Sequence, residues 1–182
     1  KQLRFETLMT KANAARAADN WVAAEGFYAE AGALVADDPK VVGGFQLAGE
    51  VNRLGKELEQ ILDVPERLSS VAVAGNAKGL VARAEDVSEL SPSLAETSRK
   101  VDRLIGEYAQ KVSIRILSDG KTHISVRGVG QVGVTTNRTI QLRPGSYVFE
   151  GARAGFRSKL IPVDIQPGTK GLVVKIYPNE PV

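Results

Sequence analysis

Residues 112–126 read VSIRILSDGKTHISV, a stretch in which apolar and polar side chains alternate on both sides of an Asp-Gly pair. Alternation with a period of two is typical of a strand with one buried face, and Asp-Gly is a turn signal. The same pattern continues to Tyr177, with turn signals at Gly128–Gly133, Pro144-Gly145 and Pro167-Gly168. Six or seven short strands in about seventy residues predict a small antiparallel β-sandwich.

The part of the chain before Lys111 has helical periodicity. Apolar side chains recur every three or four residues from Leu3 to Ala18 and from Trp21 to Ala36. Asp38-Pro39 predicts the start of a third helix, because aspartate is a good N-cap and proline suits the first helical position. Val64-Pro65 predicts the end of that helix at about Asp63.

The rest of the helical part is less regular. A fourth helical stretch is expected from Glu66 to Glu89, with a break near Gly75-Asn76, since glycine weakens a helix. Ser91-Pro92-Ser93 predicts the start of the last helix, in which Ser93 and Glu96 have the spacing of a capping box. Four aromatic side chains are expected to fill the helical core: Trp21, Phe27, Tyr28 and Phe45.

These patterns predict an α+β protein with two domains, a helical domain over residues 1–110 and a β-sandwich over residues 111–182. The two parts differ in charge. Residues 1–110 hold 13 Lys and Arg against 17 Asp and Glu, and residues 111–182 hold 11 against 4, so their net charges are −4 and +7. A basic module beside an acidic one points to an anionic partner for the sandwich.

Composition excludes several kinds of site and segment. Cysteine is absent, so the chain has neither disulfides nor thiolate metal sites, and no apolar run is long enough to span a bilayer. The chain starts at Lys1 without an initiator methionine or a signal-peptide pattern. We therefore expect it to be part of a longer protein whose membrane anchor lies outside this sequence.

Three patterns that resemble catalytic or cofactor motifs are better explained by structure. Gly128–Gly133 reads GVGQVG, but a dinucleotide site needs a helix after the glycines, and β-branched residues follow here. His123, the only histidine, is expected on the wet face of a strand. Carboxylates such as Glu57, Asp63 and Glu85 lie at helix ends or on wet faces, without the loop that calcium requires. We expect no catalytic residue, no cofactor and no metal, and hence not an enzyme.

The landmarks of residues 112–177 follow a fixed order: Ser118 to Thr122, Ile124 to Gly128, Gly133, Thr135, Ile140 to Leu142, Pro144-Gly145, Tyr147-Val148, Gly155-Phe156 and Pro167-Gly168. This order resembles that of the PEGA domain family. The Pro-Glu-Gly-Ala tetrapeptide of that family is replaced by Asp119 to Thr122, and its usual acidic residue before the hairpin glycine by Arg127. The resemblance implies a small, non-catalytic β-sandwich of bacterial and archaeal surface and envelope proteins.

The first two helices resemble a degenerate tetratricopeptide (TPR) unit. Small and aromatic positions of that repeat are matched by Ala12, Ala24, Tyr28 and Ala31, and its closing proline by Pro39. The proline arrives late, and no second unit follows at a 34-residue period. A plain antiparallel helical bundle explains the same apolar stripes. Both alternatives stay open.

The basic residues of the sandwich are the candidate binding site. Five residues are selected for partner binding: Arg143, Arg153, Phe156, Arg157 and Lys159. The expected partner is another protein, and the anionic candidates for these cations are an acidic protein, an envelope glycan and a lipid headgroup. A basic surface that only keeps the chain soluble explains the same charges, so this alternative stays open. Nucleic acid is disfavoured, because no stacking platform or recognition motif accompanies the charges.

The expected function is that of a non-catalytic interaction or scaffold module of a bacterial cell-envelope protein. The expected location is periplasmic or extracellular, with an anchor in the cytoplasmic membrane. The alternative is an extracytoplasmic domain that senses a ligand and signals to an attached membrane segment. A sensor should be stabilised by its small ligand, whereas a scaffold should not.

Overall fold

The computed structural model describes all 182 residues and confirms the α+β class. Five α-helices come first: α1 (Gln2–Ala17), α2 (Trp21–Leu34), α3 (Pro39–Asp63), α4 (Val71–Glu85) and α5 (Pro92–Ala109). A 3-10 helix (Pro65–Ser69) lies between α3 and α4. Seven strands follow: β1 (Val112–Ser118), β2 (His123–Val126), β3 (Gly130–Val134), β4 (Asn137–Leu142), β5 (Gly145–Ala152), β6 (Lys159–Ile165) and β7 (Leu172–Ile176). None of the helices combines the length and apolarity needed to cross a bilayer.

The chain forms two compact units, Lys1–Ile105 and Gly106–Val182. The division falls inside α5, so the last turn of that helix belongs with the strands. The first is called the helical unit and the second the sheet unit below.

The ends of α3 follow the sequence signals. Asp38 is the N-cap, and its carboxylate accepts hydrogen bonds from the backbone amides of Lys40 (2.9 Å) and Val41 (3.3 Å). The helix ends at Asp63, immediately before Val64 and Pro65. Both predicted ends of α3 are therefore confirmed.

The expected break near Gly75-Asn76 is wrong, since α4 runs through both residues. The irregularity comes earlier, where the 3-10 helix ends and the Ser70 hydroxyl caps α4 through the amide of Val73. Gly75 is exposed, and an isolated exposed glycine costs a helix only about 1 kcal/mol. The Ser70 cap and the turn that begins at Pro65 therefore decide where the helix is interrupted, and the weak helix propensity of Gly75 does not.

The expected capping box of α5 is also wrong. Ser91, which is fully buried, is the residue whose hydroxyl accepts from the Leu94 amide at 3.3 Å. The Ser93 amide donates instead to a carboxylate oxygen of Asp19 at 2.8 Å. The start of α5 is thus fixed by a residue between α1 and α2.

The core of the helical unit contains many alanines, and one glycine permits a particularly close contact. Gly44 of α3 lies against the ring of Tyr28, and a Cβ at this position would overlap the ring. Trp21 and Tyr28 are buried as expected, and Phe27 is half-buried. Phe45 is 44% exposed, so its expected place in the core is wrong. The Gly44–Tyr28 contact orients α3 so that its neighbour Phe45 faces outward.

The sheet unit consists of two sheets, with strand orders β4-β1-β7 and β3-β2-β5-β6. They are called the three-stranded and the four-stranded sheet. Buried side chains from both form one apolar cluster, which includes Ile114, Ile124, Phe149 and Val174. The prediction of a small sandwich-like unit is confirmed. The expected antiparallel pairing of all strands is wrong for one pair, because β1 and β7 pair in parallel.

The GVGQVG segment is a β-hairpin, as expected. Gly128 has φ 72° in the turn between β2 and β3, and Gly133 has φ 92° within β3. The register of β2 against β3 shifts between Ile124 and Ser125, so the hairpin contains an irregularity. The chain then enters β4 through Thr135 and Thr136, and no helix begins there.

Candidate functional site

Three of the five predicted binding residues lie in the β5–β6 connection, and Arg153, at its start, is held there by other residues. Its guanidinium donates to a carboxylate oxygen of Asp119 at 3.1 Å and stacks on the ring of Phe156, 4.8 Å from the centroid. The charge of Arg153 is paired with Asp119, and one face of its guanidinium is covered by the Phe156 ring. Arg153 therefore stabilises the sheet unit and is a poor candidate for binding a partner.

Asp119 organises the turn between β1 and β2. Its carboxylate accepts hydrogen bonds from the amides of Lys121 and Thr122, both at 2.8 Å, and from the hydroxyl of Thr122 at 2.9 Å. The Lys121 amide bond does most to lower the pKa of Asp119, from 3.8 to about 2, with help from Thr122 and the nearby charge of Arg153 and against the opposing effect of partial burial. The ionised carboxylate therefore connects this turn to the end of β5.

Phe156 and Arg157 contact the C-terminal segment. The Arg157 amide donates to the Glu180 carbonyl at 2.8 Å, and Phe156 forms an isolated β-bridge with Pro181. The side chains of Arg157 and Glu180 are 4.0 Å apart, and both are more than two-thirds exposed. Such an exposed pair is weak, so Arg157 stays available to another anion.

Arg143 is separated from the other four. It follows β4, and its Nε donates to the carbonyl of Tyr108 at 3.3 Å. Along β5, Gly145 pairs with Ile165 near Arg143, whereas Gly151 pairs with Lys159 at the other end. The predicted set therefore divides into one residue at one end of β5 and four at the other.

Most of the unpaired positive charge lies elsewhere. Seven exposed cations of the sheet unit have no ion pair within 4 Å: Lys111, Arg115, Lys121, Arg138, Lys159, Lys170 and Lys175. Only Lys159 belongs to the predicted set. Most of the charges that remain for a partner thus lie outside the five residues predicted to bind.

The outer side of the three-stranded sheet carries two of these cations and is called the basic sheet face. Arg115 projects from the central strand β1, because its neighbours Ile114 and Ile116 are fully buried. Lys175 lies on β7, at the register position of Leu117. Arg115 and Lys175 are diagonal neighbours on adjacent strands, because Arg115 pairs with Val173 and Lys175 lies two residues further along β7.

The rest of the basic sheet face is neutral. Arg115 has Thr139 on one side and Val173 on the other, and the exposed side chains of Asn137 and Gln141 lie on the same face. The three strands contain no Asp or Glu. The face can therefore offer two long cations, hydroxyl and amide groups and a half-exposed apolar side chain to one ligand.

The four-stranded sheet is different, because it carries charges of both signs: Glu150 and Asp164 beside Lys159. Arg127 lies 3.4 Å from Glu150, and Asp164 accepts a hydrogen bond from the Ser146 hydroxyl at 3.0 Å. His123 is exposed on this sheet, at the register positions of Val134 and Ala152. Its exposed position agrees with the expectation for this strand.

The outward position of Arg115 is visible in the sequence alone. Arg115 is the polar residue between two isoleucines in the stretch SIRI, so the alternation places it outward, at the centre of a strand. What the stretch does not reveal is that β7 pairs with β1 and brings Lys175 beside it.

No protein-family model and no curated protein matches the chain.

Proposed function

We propose that the protein is a non-catalytic interaction module that binds an acidic segment of a partner protein on the basic sheet face. The observation that carries the proposal is the combination of Arg115 and Lys175, both unpaired, on a sheet without any carboxylate. A face with charges of one sign favours a partner of the opposite sign and accelerates its encounter.

The polar neighbours support a polypeptide partner. Thr139, Asn137 and Gln141 offer donors and acceptors suited to peptide groups and to carboxylates. Val173 is 41% exposed beside Arg115 and offers an apolar contact. Single cations surrounded by neutral hydrogen-bonding groups fit an acidic peptide better than a polymer with a charge on every unit.

The cellular setting is part of the proposal. The order of landmarks over residues 112–177 resembles a PEGA domain, and the first two helices resemble a TPR unit. On this basis we place the module in the envelope of a bacterial cell, in the periplasm or outside the cell, as part of a chain anchored to the cytoplasmic membrane. The resemblance supports this setting.

The test compares two double charge reversals. Arg115→Glu with Lys175→Glu removes the charge of the basic sheet face, whereas Lys121→Glu with Lys159→Glu makes the same change in net charge away from that face. The probe is a glutamate-rich peptide, and the dissociation constant is measured by calorimetry in buffers of low and physiological salt.

We expect the first double variant to bind at least about tenfold more weakly and the control to bind nearly as the parent does, with the difference reduced in high salt. If both double variants lose the same affinity for the peptide, binding depends only on the net charge of the chain, and the proposal is overturned. Weaker binding in the Lys121 and Lys159 variant alone would overturn the proposal and place the site near Lys159, one of the five predicted residues. Tighter binding of a polyuronate than of the peptide would replace the protein partner with a glycan.

A further inference from the structure

The helical unit contains a groove between the last turns of α3, the 3-10 helix and α4, with a volume of about 790 Å³. It is called the α3–α4 groove, and its lining includes Ile61, Arg67, Val73, Gly79, Leu80 and Arg83. The volume lies within the range of about 300–1,000 Å³ that is typical of ligand sites. No residue of this groove takes part in the basic sheet face.

The floor of the α3–α4 groove is lined by apolar side chains, and the backbone of α4 is uncovered there at two glycines. Ile61, Val73 and Leu80 are half-buried there. A Cβ added at Gly75 or Gly79 would meet no atom within 4 Å, so the space over the backbone of α4 is empty at these positions. Glycines of this kind allow another backbone to approach closely.

The charged groups of the groove have a net positive charge. Arg67 is exposed and has no ion pair within 4 Å. Arg83 lies 3.7 Å from Glu57, in a pair whose side chains are 54% and 43% exposed. An exposed pair of this length is weak, so the guanidinium of Arg83 can exchange Glu57 for a carboxylate of a ligand.

We infer that the α3–α4 groove binds an amphipathic helix of a partner protein that carries acidic side chains. The groove follows α4 from Val73 to Arg83, and ten residues of helix are about 15 Å long, or nearly three turns. An apolar helix face would lie on Ile61 and Leu80, while carboxylates at its edges would pair with Arg67 and Arg83. This arrangement is helix-in-groove recognition, selected by charge.

The first test uses two synthetic peptides and one blocked groove. The probe is a helical peptide of about fifteen residues with leucines along one face and glutamates beside them, and its counterpart carries lysine in place of glutamate. Binding to the full chain is measured by calorimetry. Gly79→Leu fills the groove, and Gly26→Leu adds the same side chain to α2, where it also meets no atom within 4 Å.

We expect the glutamate peptide to bind, the lysine peptide not to bind, and Gly79→Leu to weaken binding at least about tenfold while Gly26→Leu changes little. Melting curves of both variants check that the helices remain folded. No binding of the glutamate peptide, equal binding of the two peptides, or equal loss in the two glycine variants would each overturn the inference.

The second test reverses the charge preference. Arg67→Glu combined with Arg83→Glu should abolish binding of the glutamate peptide and create binding of the lysine peptide. Arg4→Glu with Arg103→Glu makes the same change in net charge at exposed positions outside the groove and should leave the preference unchanged. An unchanged preference in the Arg67 and Arg83 variant would overturn the inference, whatever the basic sheet face is found to bind.

Discussion

The helical unit and the sheet unit are packed with side chains of different size. Seven alanines are buried in the helical unit: Ala12, Ala24, Ala31, Ala48, Ala74, Ala77 and Ala84. The buried core of the sheet unit contains no alanine, and Ile, Val, Leu and Phe fill it. Alanine lets helix axes come close together, whereas the space between two sheets must be filled by large side chains.

This difference predicts opposite sensitivities. The helical unit should be damaged most where a side chain is enlarged, because its closest contacts leave no room. The sheet unit should be damaged most where a side chain is shortened, because a cavity then opens between the sheets. It also explains why the helical unit presents grooves along its small residues, whereas the sheet unit presents flat faces.

The largest effect is expected from Phe149→Ala in the sheet unit. Phe149 is fully buried, belongs to β5 and packs in the cluster shared by both sheets. The truncation should lower the free energy of unfolding by about 3–5 kcal/mol, because it removes apolar contacts and leaves a cavity. Chemical denaturation followed by circular dichroism measures the change.

The control for this truncation is Val173→Ala, on the exposed side of β7, where 41% of the residue is accessible. Its effect should stay small, since little buried surface is lost. If Phe149→Ala costs no more than the control, the sheets do not depend on a filled interior, and the comparison between the units fails.

The next effect tests the opposite sensitivity, with Gly44→Ala in the helical unit. The new methyl group would overlap the ring of Tyr28, so we expect a loss of about 1–3 kcal/mol despite the better helix propensity of alanine. The matched control is Gly43→Ala, the adjacent position, where a Cβ meets no atom within 4 Å. There the same substitution should stabilise the chain by up to about 1 kcal/mol.

The sign of the difference between Gly43→Ala and Gly44→Ala decides this prediction. If both substitutions stabilise the protein, then Tyr28 moves aside at little cost, and close helix contacts do not limit the helical unit. The tyrosine ring near Gly44 can be followed separately by its near-ultraviolet signal.

Local signals in the sequence were enough to predict much of the fold. Alternation around Ile114 and Ile116 predicted both the strand and its buried face, because a sheet with one buried side requires apolar residues at every second position. Asp38-Pro39 gave the start of α3, since both residues act through their own backbone neighbours. The parallel pairing of β1 with β7 was out of reach, because it joins Ile114 to Leu172.

The candidate site was less predictable for the same reason. Arg153 was selected for its charge, but its pairing with Asp119 depends on a contact across 34 residues. Arg115 and Lys175 become neighbours only through the parallel pair, so their joint charge is invisible along the chain. The start of α5 also depends on Asp19, which contacts Ser91 across 72 residues.

A smaller effect concerns Asp19, which holds the helical unit together through polar groups. Its carboxylate accepts from the hydroxyl of Ser91 at 2.6 Å, the amide of Ser93 at 2.8 Å and the indole of Trp21 at 2.9 Å. Burial acts to raise the pKa of Asp19, but these hydrogen bonds outweigh it and the pKa is lowered. Asp19 also has φ 57°, a left-handed conformation that aspartate tolerates better than alanine.

Asp19→Ala should therefore cost about 1–2 kcal/mol in the free energy of unfolding, the range for losing a helix cap. Asp37→Ala is the control, since Asp37 is exposed and its carboxylate makes no hydrogen bond or ion pair. Equal stability of the two variants would show that the Ser91 and Ser93 contacts contribute nothing to the start of α5.

The last effect is a dependence on pH in the sheet unit, and it comes from Asp119. Its pKa is lowered to about 2 in the folded chain, against an ordinary value of 3.8. The carboxylate thus stabilises the fold at any pH above its unfolded pKa, and this contribution is lost as the pH falls from about 4 through about 2.

Asp119→Asn should make the stability of the sheet unit less dependent on pH in that window, while Asp37→Asn should leave the dependence unchanged. Because Arg153 contributes to the shift, Arg153→Gln should move the acid transition of Asp119 upward in pH. An acid transition that stays in place in both Asp119→Asn and Arg153→Gln would show that the turn after β1 is held by its backbone alone.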